Sequence, residues 1–295
     1  MRRYLIYLLL TVCNLSFVHA FVVEIDGICY EIIGSLAAVT HQEWERIDGW
    51  YVGDIVIPEQ ITYKGQTYNV RSVDENAFAY QEELTSVKFP STVRAFSACA
   101  FIGCTKLRQV SASDNLLVIG SSAFTGCTSL QSIALPRSSK KVDTLSFYCC
   151  ASLSSLILPH RIRTVCQGAL EHLPSLKNLY LFASEPPVAE QGAFTLSDQK
   201  RCTLHVPKET LEKYQQSPDW QDFYRIVPLT DAEYARQNYH RGDINDDGKV
   251  DALDLELMRL IIVNLPDDSA VRWAADINED GKVNAADYVL LAKRL

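Results

Sequence analysis

The feature that most constrains the fold is a repeat of 23 residues in the middle of the chain. An aromatic side chain recurs at that interval at Phe78, Phe101, Phe124 and Phe147, with Leu170 in the next slot. Six residues after each of these positions stands a leucine: Leu84, Leu107, Leu130, Leu153 and Leu176. Self-similarity at a short, fixed period is typical of repeats that stack on one another, and it predicts a solenoid.

Each repeat opens with its leucine, continues with an apolar residue three positions on and usually adds another two positions later. The sets are Leu84/Val87/Phe89, Leu107/Val110/Ala112, Leu130/Ile133/Leu135, Leu153/Leu156/Leu158 and Leu176/Leu179/Leu181. This L-x-x-L-x-L pattern predicts a short strand that points alternate side chains inward. A proline follows three of the strands, where it ends pairing without removing an interior hydrogen bond: Pro90, Pro136 and Pro159.

Three of the nine cysteines, Cys104, Cys127 and Cys150, keep the same 23-residue interval. Equivalent positions in adjacent coils lie about 5 Å apart with parallel Cβ vectors, whereas a disulfide needs Cβ vectors that face each other. These three are therefore predicted to be buried thiols that pack as small hydrophobic groups. The remaining candidates for disulfides are Cys29, Cys99, Cys149, Cys166 and Cys202, and their pairing stays open.

The pattern "AFxxCxxL" resembles the BspA-like bacterial leucine-rich repeats over about residues 55–182. The fifth coil departs from it, because Leu170 and Leu173 replace the usual Phe and Cys, and the second coil has a weak strand with Ala112. The resemblance implies an exported or cell-surface protein that functions in adhesion or binds host or microbial surfaces. An unknown protein or glycan is the expected ligand of the solenoid.

The C-terminal part carries two nearly identical stretches, "DINDDGKVDALD" from Asp243 and "DINEDGKVNAAD" from Asp276. Their oxygen-bearing residues have the spacing of EF-hand calcium loops, with a glycine at position six for the sharp turn. Each loop leads into a helical pattern. The alternative is a pair of solvated acidic turns with aspartate caps, but two copies that match at every ligand position favour two Ca²⁺ sites.

Position twelve is Asp rather than Glu in both loops, and no helix of useful length precedes Asp243. A calcium loop followed by a helix, twice, resembles a type I dockerin. The resemblance implies a small domain that binds two Ca²⁺ ions and docks onto a cohesin domain of a partner protein. The implied ligands are Asp243, Asn245, Asp247, Lys249 (backbone), Asp251 and Asp254 in the first loop, and Asp276, Asn278, Asp280, Lys282 (backbone), Asn284 and Asp287 in the second.

In dockerins, positions ten and eleven determine which cohesin is recognised; here they are Ala252, Leu253, Ala285 and Ala286. Leu253 and Ala286 could equally pack within the domain, and both interpretations stay open. Because the two pairs differ, docking in two interchangeable orientations is not expected. The first loop has four ligand carboxylates and the second has three, so tighter Ca²⁺ binding is predicted at the first.

Nothing in the sequence predicts an enzyme. It has no glycine-rich phosphate loop, no H-E-x-x-H and no G-x-S-x-G, and the periodic pattern accounts for Cys150 without a catalytic His. A net charge of −8 argues against nucleic acid as the main partner. The alternatives are a free-standing surface adhesin whose calcium-stabilised tail has no partner, and an accessory hydrolase with an unrecognised site.

The start of the chain predicts export. A basic pair, an apolar run and "VHA" indicate a signal peptide cleaved after Ala20, and no later run predicts a transmembrane segment. The expected domains are a signal at 1–20, an N-terminal β cap at 21–66, the solenoid at 67–185, a C-terminal cap at 186–229, a linker at 230–241 and a dockerin at 242–295. The expected fold class is α+β, a leucine-rich-repeat solenoid plus a small all-α dockerin.

Overall fold

The structure is a computed structural model that describes residues 20–41, 51–111, 115–230, 233, 241–244, 250–263, 271, 274–278 and 282–295. The predicted signal peptide falls on residues 1–19 and so lies outside the described residues, apart from Ala20 at its cleavage site. Four of the predicted calcium ligands also lie outside them: Asn245, Asp247, Lys249 and Asp280.

The N-terminal part forms strands β1 (Phe21–Ile25), β2 (Ile28–Ile33), β3 (Leu36–Val39), β4 (Gly53–Val56), β5 (Gln60–Tyr63) and β6 (Gln66–Val73). β1, β2 and β3 pair as an antiparallel meander, and β5 pairs antiparallel with β6. β3 then pairs with β6 in parallel. The antiparallel strands thus join directly to the parallel stacking of the solenoid and cover its first coil.

The remaining strands are β7 (Leu84–Lys88), β8 (Ala95–Phe96), β9 (Gln109–Ser111), β10 (Val118–Ile119), β11 (Ser132–Ala134), β12 (Lys141–Val142), β13 (Ser155–Leu158), β14 (Thr164–Val165), β15 (Asn178–Leu181), β16 (Val188–Ala189), β17 (Thr203–Val206) and β18 (Arg225–Pro228). The predicted repeat strands are β7, β9, β11, β13 and β15, and the prediction of a solenoid is confirmed. They belong to two parallel ladders, β4-β7-β9 and β11-β13-β15-β17-β18. We call this side of the solenoid the main sheet.

A second side of each coil is a much shorter strand, which the sequence did not predict. β6, β8 and β10 pair in parallel, and β12, β14 and β16 form a further parallel ladder. Most of these strands have only two residues, such as Ala95–Phe96. Two residues are too few to show the alternation by which a strand is recognised.

The third side consists of turns that hold the "AF" pairs. The amides of Phe78, Phe101 and Phe124 donate to carbonyls of the next coil at 2.8 to 2.9 Å. The rings of Phe78, Phe101, Phe124 and Phe147 stack nearly parallel, with centroids 5.1, 5.0 and 5.8 Å apart. All four side chains are fully buried, so each coil covers the apolar face of its neighbour.

The cysteine ladder is buried as predicted, and it also makes hydrogen bonds. The Sγ atoms of Cys104, Cys127 and Cys150 donate to the carbonyls of Phe78, Phe101 and Phe124 in the preceding coil at 2.9, 3.1 and 3.1 Å. Cys99, Cys149, Cys166 and Cys202 are also free thiols. Burial raises the pKa of Cys104 and of Cys150 to about 12.

The parallel stacking continues past residue 185, because β17 pairs with β15 and β18 pairs with β17. Helix α1 (Leu196–Gln199), a 3-10 helix (Lys208–Thr210) and helix α2 (Leu211–Gln216) cover this end. The Tyr214 hydroxyl donates to Ala183 O at 2.8 Å, and the indole of Trp220 donates to Pro187 O at 2.7 Å. The domain boundaries inferred from sequence remain predictions.

The C-terminal part contains helices α3 (Ala252–Val263) and α4 (Ala285–Arg294). They pack around a separate small core formed by Ile244, Met258, Ala275, Ile277 and Leu291, with Val250 and Val283 against it. Among the described residues, no helix combines the length and apolar character needed to cross a membrane.

Candidate functional site

The first predicted calcium loop is closed by the aspartate at its twelfth position. Asp254 lies in the first turn of α3 and is fully buried. Its Oδ1 accepts a hydrogen bond from the amide of Ile244 at 2.7 Å, and its Oδ2 accepts one from the amide of Asp251 at 2.8 Å. One carboxylate therefore joins positions two and nine of the loop to the start of the helix.

The second loop repeats this arrangement 33 residues later. Asp287 is fully buried, and it accepts from the amide of Ile277 at 2.9 Å and from the amide of Asn284 at 2.9 Å. The amide of Asn278 adds a third contact at 3.2 Å. The two loops thus share equivalent hydrogen bonds as well as nearly the same sequence.

The ninth position of each loop caps the helix that follows. The amide of Leu253 donates to Asp251 Oδ1 at 2.8 Å, and the amide of Ala286 donates to Asn284 Oδ1 at 2.8 Å. Asn284 and Asp287 together form a capping box at the start of α4. These side chains satisfy amides that the helix leaves without an internal partner, so loop and helix form one unit.

The side chains at the ligand positions are of the chemical type that binds calcium. Four ligand-position carboxylates, Asp243, Asp254, Asp276 and Asp287, are at most 9% exposed. Buried carboxylates need hydrogen bonds or a cation, and hard oxygen donors suit Ca²⁺ rather than metals that prefer nitrogen or sulfur. Within the described part of the chain no three acidic, His or Cys side chains form a metal cluster, and four of the loop positions fall outside that part.

Arg241, the last residue of the predicted linker, contacts the second loop. Its guanidinium donates to Asp276 O at 2.5 Å and lies 3.9 Å from the Asp276 carboxylate. The neighbouring amide of Gly242 donates to Ala274 O at 2.8 Å. The start of the first loop is therefore held against the start of the second. In the sequence Arg241 stands two residues before Asp243, and a lone Arg at that position belongs to no recognised pattern.

The predicted cohesin contacts lie at the surface. Ala252, Leu253, Ala285 and Ala286 are all exposed in the first turns of α3 and α4, and Leu253 is 56% exposed. More than half of the Leu253 surface is thus open to solvent. Leu253 and Ala286 occupy equivalent positions, so the two halves present apolar surfaces of different size.

The outward face of the main sheet is polar at its N-terminal end. In-register partners there include Ser86 with Gln109 and Lys88 with Ser111. Toward the C-terminal end the face becomes apolar at Ile157 and Tyr180, and both pack against a cluster of Phe182 and Leu229. The apolar end of this face is therefore covered by the chain itself.

Two of the cysteines near His160, Cys150 and Cys166, lack the features of an activated nucleophile. Cys150 is fully buried, and Cys166 is 7% exposed. Burial raises the pKa of both thiols, whereas a reactive cysteine needs a lowered pKa. His160 is itself buried, at 4% exposure.

Comparison with protein families assigns both parts. Residues 71–198 match the model of the BspA type leucine rich repeat region in six copies, and residues 241–295 match the type I dockerin domain. The chain carries a BspA-type leucine-rich-repeat region and a type I dockerin domain. Both are non-catalytic binding domains, type I dockerins bind calcium, and no enzyme domain is found. No curated protein is a significant match.

This chain is similar to solved structures of bacterial leucine-rich-repeat proteins. A leucine rich cell surface protein from Faecalibacterium prausnitzii A2-165 is 20% identical, with a TM-score of 0.42; the match covers 72% of this chain and 55% of that one. A T. pallidum leucine rich repeat protein is 22% identical, with a TM-score of 0.42, and the match covers 68% and 92%. A leucine-rich repeat protein from Bacteroides ovatus ATCC 8483 is 21% identical, with a TM-score of 0.37, and the match covers 70% and 67%. The chain therefore spans about half the length of the Faecalibacterium protein.

Proposed function

We propose that this protein is an exported, non-catalytic recognition protein with two binding parts. The BspA-type region binds a protein or glycan ligand, and the dockerin domain docks onto a cohesin domain of a scaffold or surface protein in a calcium-dependent way. The assembly it joins is a polysaccharide-degrading or cell-surface one. The observation that carries the proposal is the repeated loop, in which Asp254 and Asp287 make the same two backbone contacts.

The proposed ligands of the two Ca²⁺ ions are the oxygen-bearing residues of the loops. The first ion is held by Asp243, Asn245, Asp247, Lys249 (backbone), Asp251 and Asp254, and the second by Asp276, Asn278, Asp280, Lys282 (backbone), Asn284 and Asp287. Bound calcium would neutralise the carboxylates that folding buries. This chain's own residues do the positioning, because each position-twelve aspartate already ties its loop to the following helix.

Calcium dependence of docking follows from where the proposed contacts stand. Ala252 and Leu253 directly precede Asp254, and Ala285 and Ala286 directly precede Asp287. A loop that loses its ion releases the first turn of its helix, and with it the contact surface. Ca²⁺ therefore acts on cohesin binding through the orientation of α3 and α4.

The test measures binding of the full mature chain to a panel of purified cohesin domains by biolayer interferometry, in calcium and in chelator. We expect at least one cohesin to bind in calcium only, and Asp254→Ala to weaken that binding. Leu253→Asp, which leaves the calcium ligands in place, tests the contact surface separately. Calcium binding with no cohesin bound would contradict the proposal and favour a free-standing adhesin with a calcium-stabilised tail.

The two loops are expected to differ in affinity. Four ligand carboxylates in the first loop against three in the second predict tighter binding at the first. Isothermal titration of Asp276→Ala, which retains the first loop, should therefore give a lower Kd than titration of Asp243→Ala. Equal Kd values for the two variants would show that carboxylate count does not set affinity here.

A further inference from the structure

The segment that follows β18 does not leave the solenoid at once. The amide of Leu229 donates to Val206 O at 2.7 Å, which extends the main sheet by one more bond. The Leu229 side chain is 7% exposed and packs with Phe182, Ile157 and Tyr180. This residue thus lies on the outward face of the sheet, just before the stretch predicted to be a linker.

Thr230 and Glu233 then form a capping box. Glu233 Oε2 accepts from the amide and the hydroxyl of Thr230 at 2.6 and 2.9 Å. In return, the Glu233 amide donates to Thr230 Oγ1 at 3.3 Å and to Thr230 O at 2.9 Å. A Thr-x-x-Glu pair of this kind fixes the chain direction at a helix start.

The same carboxylate is bound to the sheet. Glu233 Oε1 lies 3.0 Å from His205 Nδ1, and the two side chains are 13% and 14% exposed. His205 Nε2 lies 3.1 Å from Asn178 Oδ1, and its ring centroid is 4.4 Å from that of Tyr180. Asn178 and Tyr180 therefore fix the orientation of the His205 imidazole independently of its contact with Glu233.

We propose that Leu229, Thr230 and Glu233 form a clasp on the main sheet that fixes the point from which the chain runs to the dockerin domain. The clasp also covers Ile157, Tyr180 and His205 on the outward face of the sheet. The proposal holds whether or not the dockerin domain binds a cohesin.

The Glu233–His205 pair differs from ordinary surface ion pairs because its side chains are less exposed. Lys213 and Glu185 also pair on this solenoid, but their side chains are 43% and 54% exposed, and pairs that exposed contribute little. The Glu233 carboxylate is mostly buried and makes three polar contacts. Removing its charge should raise the opening equilibrium of the segment about tenfold, the effect of one lost hydrogen bond to a charged group.

Hydrogen exchange of the full chain, followed by mass spectrometry, tests the clasp. In Glu233→Gln, the peptide containing Leu229 and Glu233 should exchange about tenfold faster, and trypsin should cut faster after Arg236. Glu185→Gln, which breaks the exposed pair, is the matched control and should leave both rates unchanged. Unchanged exchange and cleavage in Glu233→Gln would overturn the proposal.

A double variant separates the clasp from a general loss of stability. If Glu233 acts through His205, then Glu233→Gln should add little to exchange in a His205→Asn background. Additive effects of the two substitutions would show that the pair does not act as a unit. Peptides from β11 and β13 report hydrogen exchange in the rest of the solenoid. Their exchange rates should not change in any of these variants.

Discussion

At the scale of single residues, the coil geometry dictates backbone conformations that some of its residues tolerate poorly. Tyr80, Gly103, Gly126, Cys149 and His172 stand 23 residues apart, and all have positive φ, between 57° and 72°. Only two of them are glycine. Because L residues in this region are strained, the conformation comes from stacking, and a sequence pattern of glycines could not have revealed it.

Gly126 allows this strain to be measured. A Cβ there would meet nothing closer than 3.7 Å, so there is room for a side chain and only the backbone conformation, with φ of 72°, opposes it. Gly126→Ala should lower the free energy of unfolding by about 1 kcal/mol. Gly126→Asn should lower it less, since Asn tolerates the left-handed region. Urea denaturation of both variants checks the order, and equal losses would contradict it.

Asp74 makes the free energy of unfolding of the solenoid depend on pH. Burial, together with the charge of Glu31, raises the pKa of Asp74 to about 6, while a hydrogen bond from Thr40 opposes the shift. The folded state therefore holds this proton more tightly than the unfolded chain does. The resulting destabilisation is absent below about pH 4, grows as the pH rises and is complete above about pH 6.

Asp74→Asn should remove that destabilisation. The expected gain in the free energy of unfolding is about 1–2 kcal/mol at pH 8, because Asp74 is partly exposed, and it should vanish near pH 4. Denaturant titrations at the two pH values measure it. Asp222→Asn changes an exposed carboxylate and is the control, expected to be neutral at both. A gain at pH 4 as large as that at pH 8 would rule out titration of Asp74 as the cause.

At the scale of elements, each coil is held to the next by one thiol as well as by one ring. The Sγ atoms of Cys104, Cys127 and Cys150 reach the carbonyl of the preceding coil within 3.1 Å. Burial raises the pKa of Cys127 well above its usual range. These three thiols should resist alkylation by iodoacetamide in the folded protein, while Cys149, which is partly exposed, reacts first. Mass spectrometry gives the order, and early labelling of Cys127 would contradict the ladder.

The strands of the main sheet could be predicted from sequence because each has several residues and an alternating apolar set, as in Leu156/Leu158 and Leu179/Leu181. The second sheet could not, since a strand such as Lys141–Val142 offers one buried residue and no alternation. The clasp was missed for another reason. Thr230 and Glu233 stand in a polar stretch that is typical of a linker, and their partner His205 is far away in sequence.

At the scale of the whole molecule, two parts with different sources of stability share one chain. The core of the solenoid is continuous from the N-terminal meander to Phe223. Among the described residues of the dockerin domain, the buried apolar core is small and centred on Met258 and Leu291. A domain with so small a core needs its metal ions to fold, whereas the solenoid is stabilised by stacking. Removal of calcium should therefore act on one part only.

Calorimetry of the full chain should show two transitions. In calcium, the transition of the dockerin domain should move to higher temperature as the calcium concentration rises, because the ion binds only the folded form. Chelator should abolish that transition and leave the Tm of the solenoid unchanged. Asp287→Ala should mimic chelator at the second loop, and Asp222→Ala, an exposed carboxylate on the solenoid, should not. If chelator also lowered the solenoid transition by several degrees, the two parts would be coupled in folding, and the clasp at Glu233 would be the first contact to test for that coupling.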